Sequence, residues 1–324
     1  MTIEIFRPLD WHWISLIGPD AQDLLHRIST VNTRGMQPGE GAPGFILSAQ
    51  GKVRAAFSLW NYRDAEYAFE VATGSSGRWK KELLSVVDQY IFAEKVAIAE
   101  VNELESRWIF LPPGSAAPET LGRVEAGKTL ALDDEIRVCN HGSADYGRPW
   151  ISVWGRAQRL AQWIDRTFPD ALTLSEERLE HWRIDAVRPK LDSEITEATI
   201  PLEVGLKDAI AENKGCYPGQ EVIERIVSLG SPARRLSRIE GKLAAGQTSP
   251  SPGEKVLNDA TPPAEIGEIS SSYREGDHYV ALALLRKIHA KIGLPITCAS
   301  GVSGTVAQVS AYTSPETGSP TGAQ

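Results

Sequence analysis

The stretch Asn213-Lys214-Gly215-Cys216-Tyr217-Pro218-Gly219-Gln220-Glu221 decides how this 324-residue chain is read. Tyr217-Pro218-Gly219-Gln220 suits a type II turn, with proline at the second position and, at the third, a glycine that tolerates positive φ. Gly215 can take a positive φ at a helix end. A helix starting over Gln220–Ile226 then holds Cys216 at a sharp corner between two ordered elements. In that setting the helix amino end and Lys214 would lower the thiol pKa and favour the reactive thiolate. Cys216 equally fits a small buried apolar residue, and local sequence leaves these two readings balanced.

Outward from this segment, Val204–Glu212 reads as a helix that Asn213-Lys214-Gly215 stops. After residue 231 glycine, proline and serine become frequent. The short β-type runs Ser237–Leu243, Ile266–Ser272 and His278–Leu285 mark a small all-β domain over 231–313, with a polar tail over 314–324. Upstream, Ala21, Leu24, Leu25 and Ile28 repeat at helical spacing within Pro19–Ser29. Phe45–Ser48 and Val53–Trp60 form a hairpin around Ala49-Gln50-Gly51-Lys52, with Val53, Ala55, Phe57 and Leu59 on one face. A strand over Glu66–Val71 and a helix over Arg78–Val87 follow. Strands near Ile136–Cys139 and Ile151–Trp154 then precede helices over Arg156–Phe168 and Ser175–Ala186. Thr173 and Glu176 are spaced as a capping box for the last of these. The pattern is α+β.

Composition narrows the function. A formal charge of −8 argues against broad nucleic-acid binding, which needs a surplus of Lys and Arg. The local basic stretch Arg225–Arg238, with Arg234 and Arg235 adjacent, reads as a solvated face. Cys139, Cys216 and Cys298 form no C-x-x-C pair, which fits a reducing, cytoplasmic setting and no cluster held by this chain alone. The scattered histidines give no metal-binding spacing, so no metal site is expected, beyond Cys216 as one ligand of a shared cluster. No apolar run reaches membrane-spanning length, and Met1–Asp10 lacks the pattern of a secretory signal.

The string Lys214-Gly215-Cys216-Tyr217-x-Gly219-Gln220-Glu221 resembles the signature of the YgfZ-type proteins, relatives of the glycine-cleavage T-protein. Ile200-Pro201-Leu202-Glu203-Val204-Gly205-Leu206 resembles a second family segment, Leu24–Asn32 the family's first helix end, and Leu47–Val53 its first hairpin; the likeness runs from about residue 10 to about residue 290. It implies a GcvT-like fold. Residues 1–230 would form two interleaved α+β units, changing over near 105–130, around a central opening that binds folate, followed by a C-terminal β-barrel. It also implies tetrahydrofolate or a derivative as cofactor, with Glu203 as pterin anchor and Cys216 as the catalytic residue. Lys214, Tyr217, Gly219, Gln220, Glu221 and Arg225 would complete the folate-facing set.

One departure separates the chain from the T-protein itself. Where the T-protein hairpin carries an acid pair, this chain has Arg54 and Ala55, neither of which can accept a proton at neutral pH. The resemblance therefore implies an accessory protein for assembly or repair of iron–sulfur enzymes, acting through Cys216 with client or assembly proteins as partners. The alternative is a folate-dependent one-carbon transferase or demethylase. A third reading, a binding module without catalysis, makes Cys216 structural.

Overall fold

A computed structural model describes residues 2–74, 77–115, 117–121, 124–133, 135–142 and 145–311. In chain order the strands are β1 (Glu4–Phe6), β2 (Trp11–Ile17), β3 (Gly41–Leu47), β4 (Val53–Arg63), β5 (Glu66–Ala72), β6 (Ala97–Val101), β7 (Leu104–Phe110), β8 (Lys128–Ala131), β9 (Ile136–Asn140), β10 (Trp150–Arg156) and β11 (Leu172–Thr173). Six more follow: β12 (Arg234–Lys242), β13 (Lys255–Leu257), β14 (Glu265–Glu275), β15 (His278–Arg286), β16 (Pro295–Cys298) and β17 (Ser303–Val309). The helices are α1 (Ala21–Ile28), α2 (Arg78–Asp88), α3 (Ala157–Thr167), α4 (Glu176–Asp185) and α5 (Gln220–Ser228). The tail expected over 314–324 lies outside the described residues.

Two compact units emerge: the chain up to Thr199 together with Asp208–Gln220, and Ile200–Lys207 together with the chain from Glu221 onward. The first holds two sheets. A five-stranded sheet has the order β3-β4-β5-β2-β6, and a six-stranded sheet the order β11-β1-β7-β10-β9-β8. The two are interleaved, because the first strand of the chain joins the sheet built mainly from later residues.

Period-two alternation explains the layering. On β4, Val53, Ala55, Phe57 and Leu59 are buried as the hairpin pattern requires; Ala55, Phe57 and Leu59 meet Leu24, Leu25 and Ile28 of α1 and Leu83, Val86 and Val87 of α2 in one core. A second core joins Leu160 of α3 to Ile109, Val138 and Val153 of the six-stranded sheet. The remaining sheet faces meet through Trp13, Trp60, Ala68, Cys139 and Trp154. Trp108, Trp150 and Trp154 are buried core residues.

In the second unit β12-β15-β14-β13-β16-β17 close into a barrel, which leaves no unpaired edge. Ile239, Val256, Ile269, Ala281, Ala283, Leu285, Ile296 and Val306 pack in its core.

Three local expectations are corrected. No α-helix forms over Val204–Glu212; short 3-10 turns at Pro201–Val204 and Lys207–Ala209 stand there instead. Gly205 between them has φ 82°, which ends helical propagation. The cap of α4 is Ser175, whose side chain accepts the Arg178 N–H at 3.2 Å, while Thr173 is tied into β11. Finally, Asn213 rather than Gly215 takes the left-handed backbone, with φ 54°; asparagine tolerates this region better than most residues.

Candidate functional site

Within the first unit three of the four segments that carry the family resemblance converge. The Gln220 N–H donates to the Tyr217 carbonyl at 3.3 Å, Gly219 has φ 82°, and α5 starts at Gln220, so the turn and helix follow the local reading. A Cβ on Gly219 would lie 2.5 Å from the Ser48 carbonyl oxygen and 2.9 Å from the Gly51 Cα. The motif turn is therefore seated directly on the β3–β4 turn. That turn is itself closed by the Gly51 N–H donating to Ser48 O at 2.9 Å and the Ser48 N–H donating to Lys52 O at 2.8 Å.

Lys214 links the motif to α1. Its buried ammonium donates to the His26 carbonyl at 2.7 Å and to the Ser29 carbonyl, filling acceptors that the end of α1 leaves open. The same ammonium lies 4.9 Å from the centre of the Tyr217 ring, which is also buried. Desolvation, with a smaller push from Arg34, lowers the Lys214 pKa to about 8. The expected free cation beside the thiol is thus a structural latch. Thr30 adds a second tie, donating from Oγ1 to the Ala209 carbonyl at 2.6 Å while its own carbonyl accepts the Ala211 N–H at 2.9 Å.

Cys216 rides on this framework and is exposed, whereas Cys139 and Cys298 are buried; all three are free thiols. Of the two readings that the sequence left open, burial is excluded.

The hairpin confirms the lack of an acid pair. Ala55 is fully buried in the core, and Arg54 donates to Glu82 of α2 from Nε at 2.8 Å and from Nη2 at 2.5 Å. Arg54 and Glu82 line a cavity of about 360 Å³ with Ser48, Gln50, Lys52 and Arg78.

Glu203 belongs to the second unit. It is buried, and its carboxylate accepts Arg234 Nε and Nη2, each at 2.9 Å, and the Ile200 N–H at 3.3 Å. Three of roughly four acceptor directions are thereby used. Both the cap role and a charge-pairing role are present. Arg234 was legible only as part of a basic stretch; the general need of a buried carboxylate for a cation is the signal that singles it out. Arg225 is exposed and pairs with Glu221 one helical turn away at 2.7 Å. Gln220 is half-buried at the start of α5.

A further polar group escaped the pattern reading. Glu70 of β5 is fully buried between the sheets; its Oε2 accepts the Trp60 Nε1–H at 3.2 Å and lies 3.4 Å from His141 Nε2. The His141 nitrogen also meets Ser152 Oγ at 2.9 Å, and its ring stacks on Trp150 with centroids 4.4 Å apart. Burial pushes the Glu70 pKa up to about 7 and the His141 pKa down to about 3. Within the alternating strand Glu66–Ala72 nothing marks Glu70 as the buried acid.

Comparison with known proteins places these features. No family model matches the chain. A chloroplastic protein of Arabidopsis thaliana named as a transferase is 22% identical, covering 91% of this chain and 68% of its own. The tRNA-modifying protein YgfZ of Aliivibrio fischeri is 24% identical, covering 85% of this chain and 83% of its own. Among solved structures, the glycine cleavage system aminomethyltransferase T of Bartonella henselae superposes with a TM-score of 0.78 at 14% identity, over 95% of this chain and 85% of that one. Fold, motif and sequence likeness agree: the chain has the fold of aminomethyltransferase T and resembles the YgfZ proteins in sequence over most of its length.

Proposed function

We propose that the chain is a tetrahydrofolate-binding accessory protein that serves iron–sulfur enzymes through the thiol of Cys216. The observation that carries this reading is the contrast among the cysteines: one is exposed on a corner fixed by three converging segments, and two are buried. An exposed thiol held by rigid backbone is placed to meet a partner, where its thiolate can supply one cluster ligand or act as a nucleophile or redox thiol.

The residues present suit folate. Glu203 and Arg234 put an anionic acceptor and a planar cationic donor side by side, the complement of a pterin edge that carries both kinds of group. Tetrahydrofolate would supply one-carbon chemistry at its reduced nitrogens. The chain's own part is to orient the ring through Glu203, whose carboxylate is held in place by Arg234.

Glu203→Gln preserves shape and removes the charge. It is expected to weaken tetrahydrofolate binding by roughly 30-fold in calorimetric titration, the worth of a charge-assisted contact. Unchanged affinity in a protein that melts like wild type would contradict the assignment of Glu203.

The one-carbon transferase reading is supported by the fold and by the name of the Arabidopsis relative. Against it, Ala55 has no functional group and the nearby Glu82 carboxylate is committed to Arg54. A folate-dependent one-carbon product released by the purified protein would favour it.

A further inference from the structure

The sequence from His278 to Pro315 contains no Asp or Glu, although the whole chain carries −8. Within it, the loop that leaves β15 reads Arg286-Lys287-Ile288-His289-Ala290-Lys291-Ile292. Arg286, Lys287 and Lys291 are exposed, and among the described residues none of them has an ion pair. Neighbouring cations of this unit differ. Arg234 is held by Glu203, Arg238 by Glu240, and Lys255 by Glu265 and Glu268. Directly after Lys287 and Lys291 stand Ile288 and Ile292, 67% and 73% exposed.

The loop is not loose chain. The Lys287 N–H donates to Ala233 O at 2.8 Å, the Ala290 N–H to Arg286 O at 3.1 Å, and the Gly293 N–H to Val306 O at 2.8 Å. Ala290 is buried and pins the middle of the loop to the barrel. The backbone thus holds out two Lys-Ile pairs four residues apart at little further ordering cost on binding.

We propose that this loop is the docking surface for an acidic protein partner, the iron–sulfur client or assembly protein of the preceding reading, on which the inference rests. Two aliphatic anchors ringed by unpaired cations match a protein interface, in which a small apolar centre supplies affinity and complementary charge supplies orientation and encounter rate. The chemistry favours protein over RNA. Isoleucine neither stacks on bases nor donates to phosphate, and the net charge of −8 opposes a polyanion. A lipid surface is favoured less, because the loop has no Trp, Phe or Leu to enter the headgroup layer.

The test uses the full chain in cells lacking their own YgfZ-type protein, with the activity of a [4Fe–4S] enzyme as readout. Lys287→Glu with Lys291→Glu, and separately Ile288→Ser with Ile292→Ser, are each expected to cut rescue by about fivefold or more, the effect of losing an interface anchor. Tetrahydrofolate affinity should stay within about twofold and the melting temperature within about 2 °C, since surface changes cost little stability. Full rescue by both variants would overturn the docking surface while leaving the accessory role intact. Failure of the wild type to rescue would overturn both. Binding of wild type, but not of the Lys→Glu variant, to phosphatidylglycerol-containing vesicles or to bulk tRNA would reassign the loop and overturn the proposal.

Discussion

Gly219→Ala is expected to lower the melting temperature by roughly 8 °C, whereas Gly215→Ala, four residues away in the same motif, should shift it by less than about 2 °C. The two glycines differ in backbone and surroundings. At Gly219 φ is 82°, a region that costs an L-residue about 1 kcal/mol or more. The new Cβ would also sit 2.5 Å from the Ser48 carbonyl oxygen, and that neighbour is backbone already bound by the Gly51 N–H. Relief requires the motif turn to lift off the hairpin. Together these effects come to about 3 kcal/mol. At Gly215 φ is not positive, and the nearest atom to an added Cβ is His26 Nε2 at 3.4 Å, the edge of a side chain. Thermal melts of the two variants decide the point; equal shifts would mean that the motif turn does not rest on the hairpin.

The buried Glu70–His141 pair should add little to the pH dependence of wild-type stability, and single substitutions should reveal two slopes of opposite sign. In the unfolded chain Glu70 titrates near 4.5 and His141 near 6.5; in the folded protein the values are about 7 and about 3. Between about pH 5 and 6.5 each state therefore binds close to one proton, on His141 when unfolded and on Glu70 when folded, and the pair adds little pH dependence. Both shifts come first from burial. The main charged neighbour of each is Arg188, not the partner, so removing one residue leaves the other's shift in place.

Glu70→Gln leaves His141 alone with a depressed folded pKa. Its contribution is present above 6.5 and is lost as pH falls, by about 1.4 kcal/mol per unit. His141→Gln leaves Glu70 alone with a raised folded pKa. That contribution is full below 4.5 and is lost as pH rises towards 7, about 3 kcal/mol in all. Urea denaturation from pH 4.5 to 7.5 measures these slopes. Parallel profiles for wild type and both variants would show that Glu70 and His141 do not titrate as described.

Much of the fold was legible because its elements obey simple periods. The alternation Val53-x-Ala55-x-Phe57-x-Leu59 has one arrangement that buries those residues, and the helical spacing of Leu24, Leu25 and Ile28 supplies its cover. The Pro218-Gly219 turn was legible because its geometry is local. What escaped depends on distance in sequence. Val204–Glu212 has helix-forming composition, but Gly205 packs against Ser310, a contact over a hundred residues away, and takes a left-handed conformation that breaks the segment. Strands β1 and β11 are too short to announce themselves, and they pair only because the six-stranded sheet offers an edge.

The same rule divides the site. Cys216, Tyr217 and Gly219 were found from one string and lie where the turn chemistry puts them. The partners that set the behaviour of Lys214 and Glu203, the α1 carbonyls and Arg234, lie elsewhere in the chain. A string shows that a lysine and an acid are present; only the fold shows that each is already engaged.

Cys216 is central to the proposed function, and one measurement tests its role most directly. In cells lacking their own YgfZ-type protein, the activity of a [4Fe–4S] enzyme is recorded with wild type, with Cys216→Ala and with empty vector, alongside melting curves of both purified proteins. Cys216 is exposed, so the substitution should leave the melting temperature within about 2 °C. The predicted result is rescue by wild type and vector-level activity with the variant. Equal rescue by Cys216→Ala would contradict the thiol's central role.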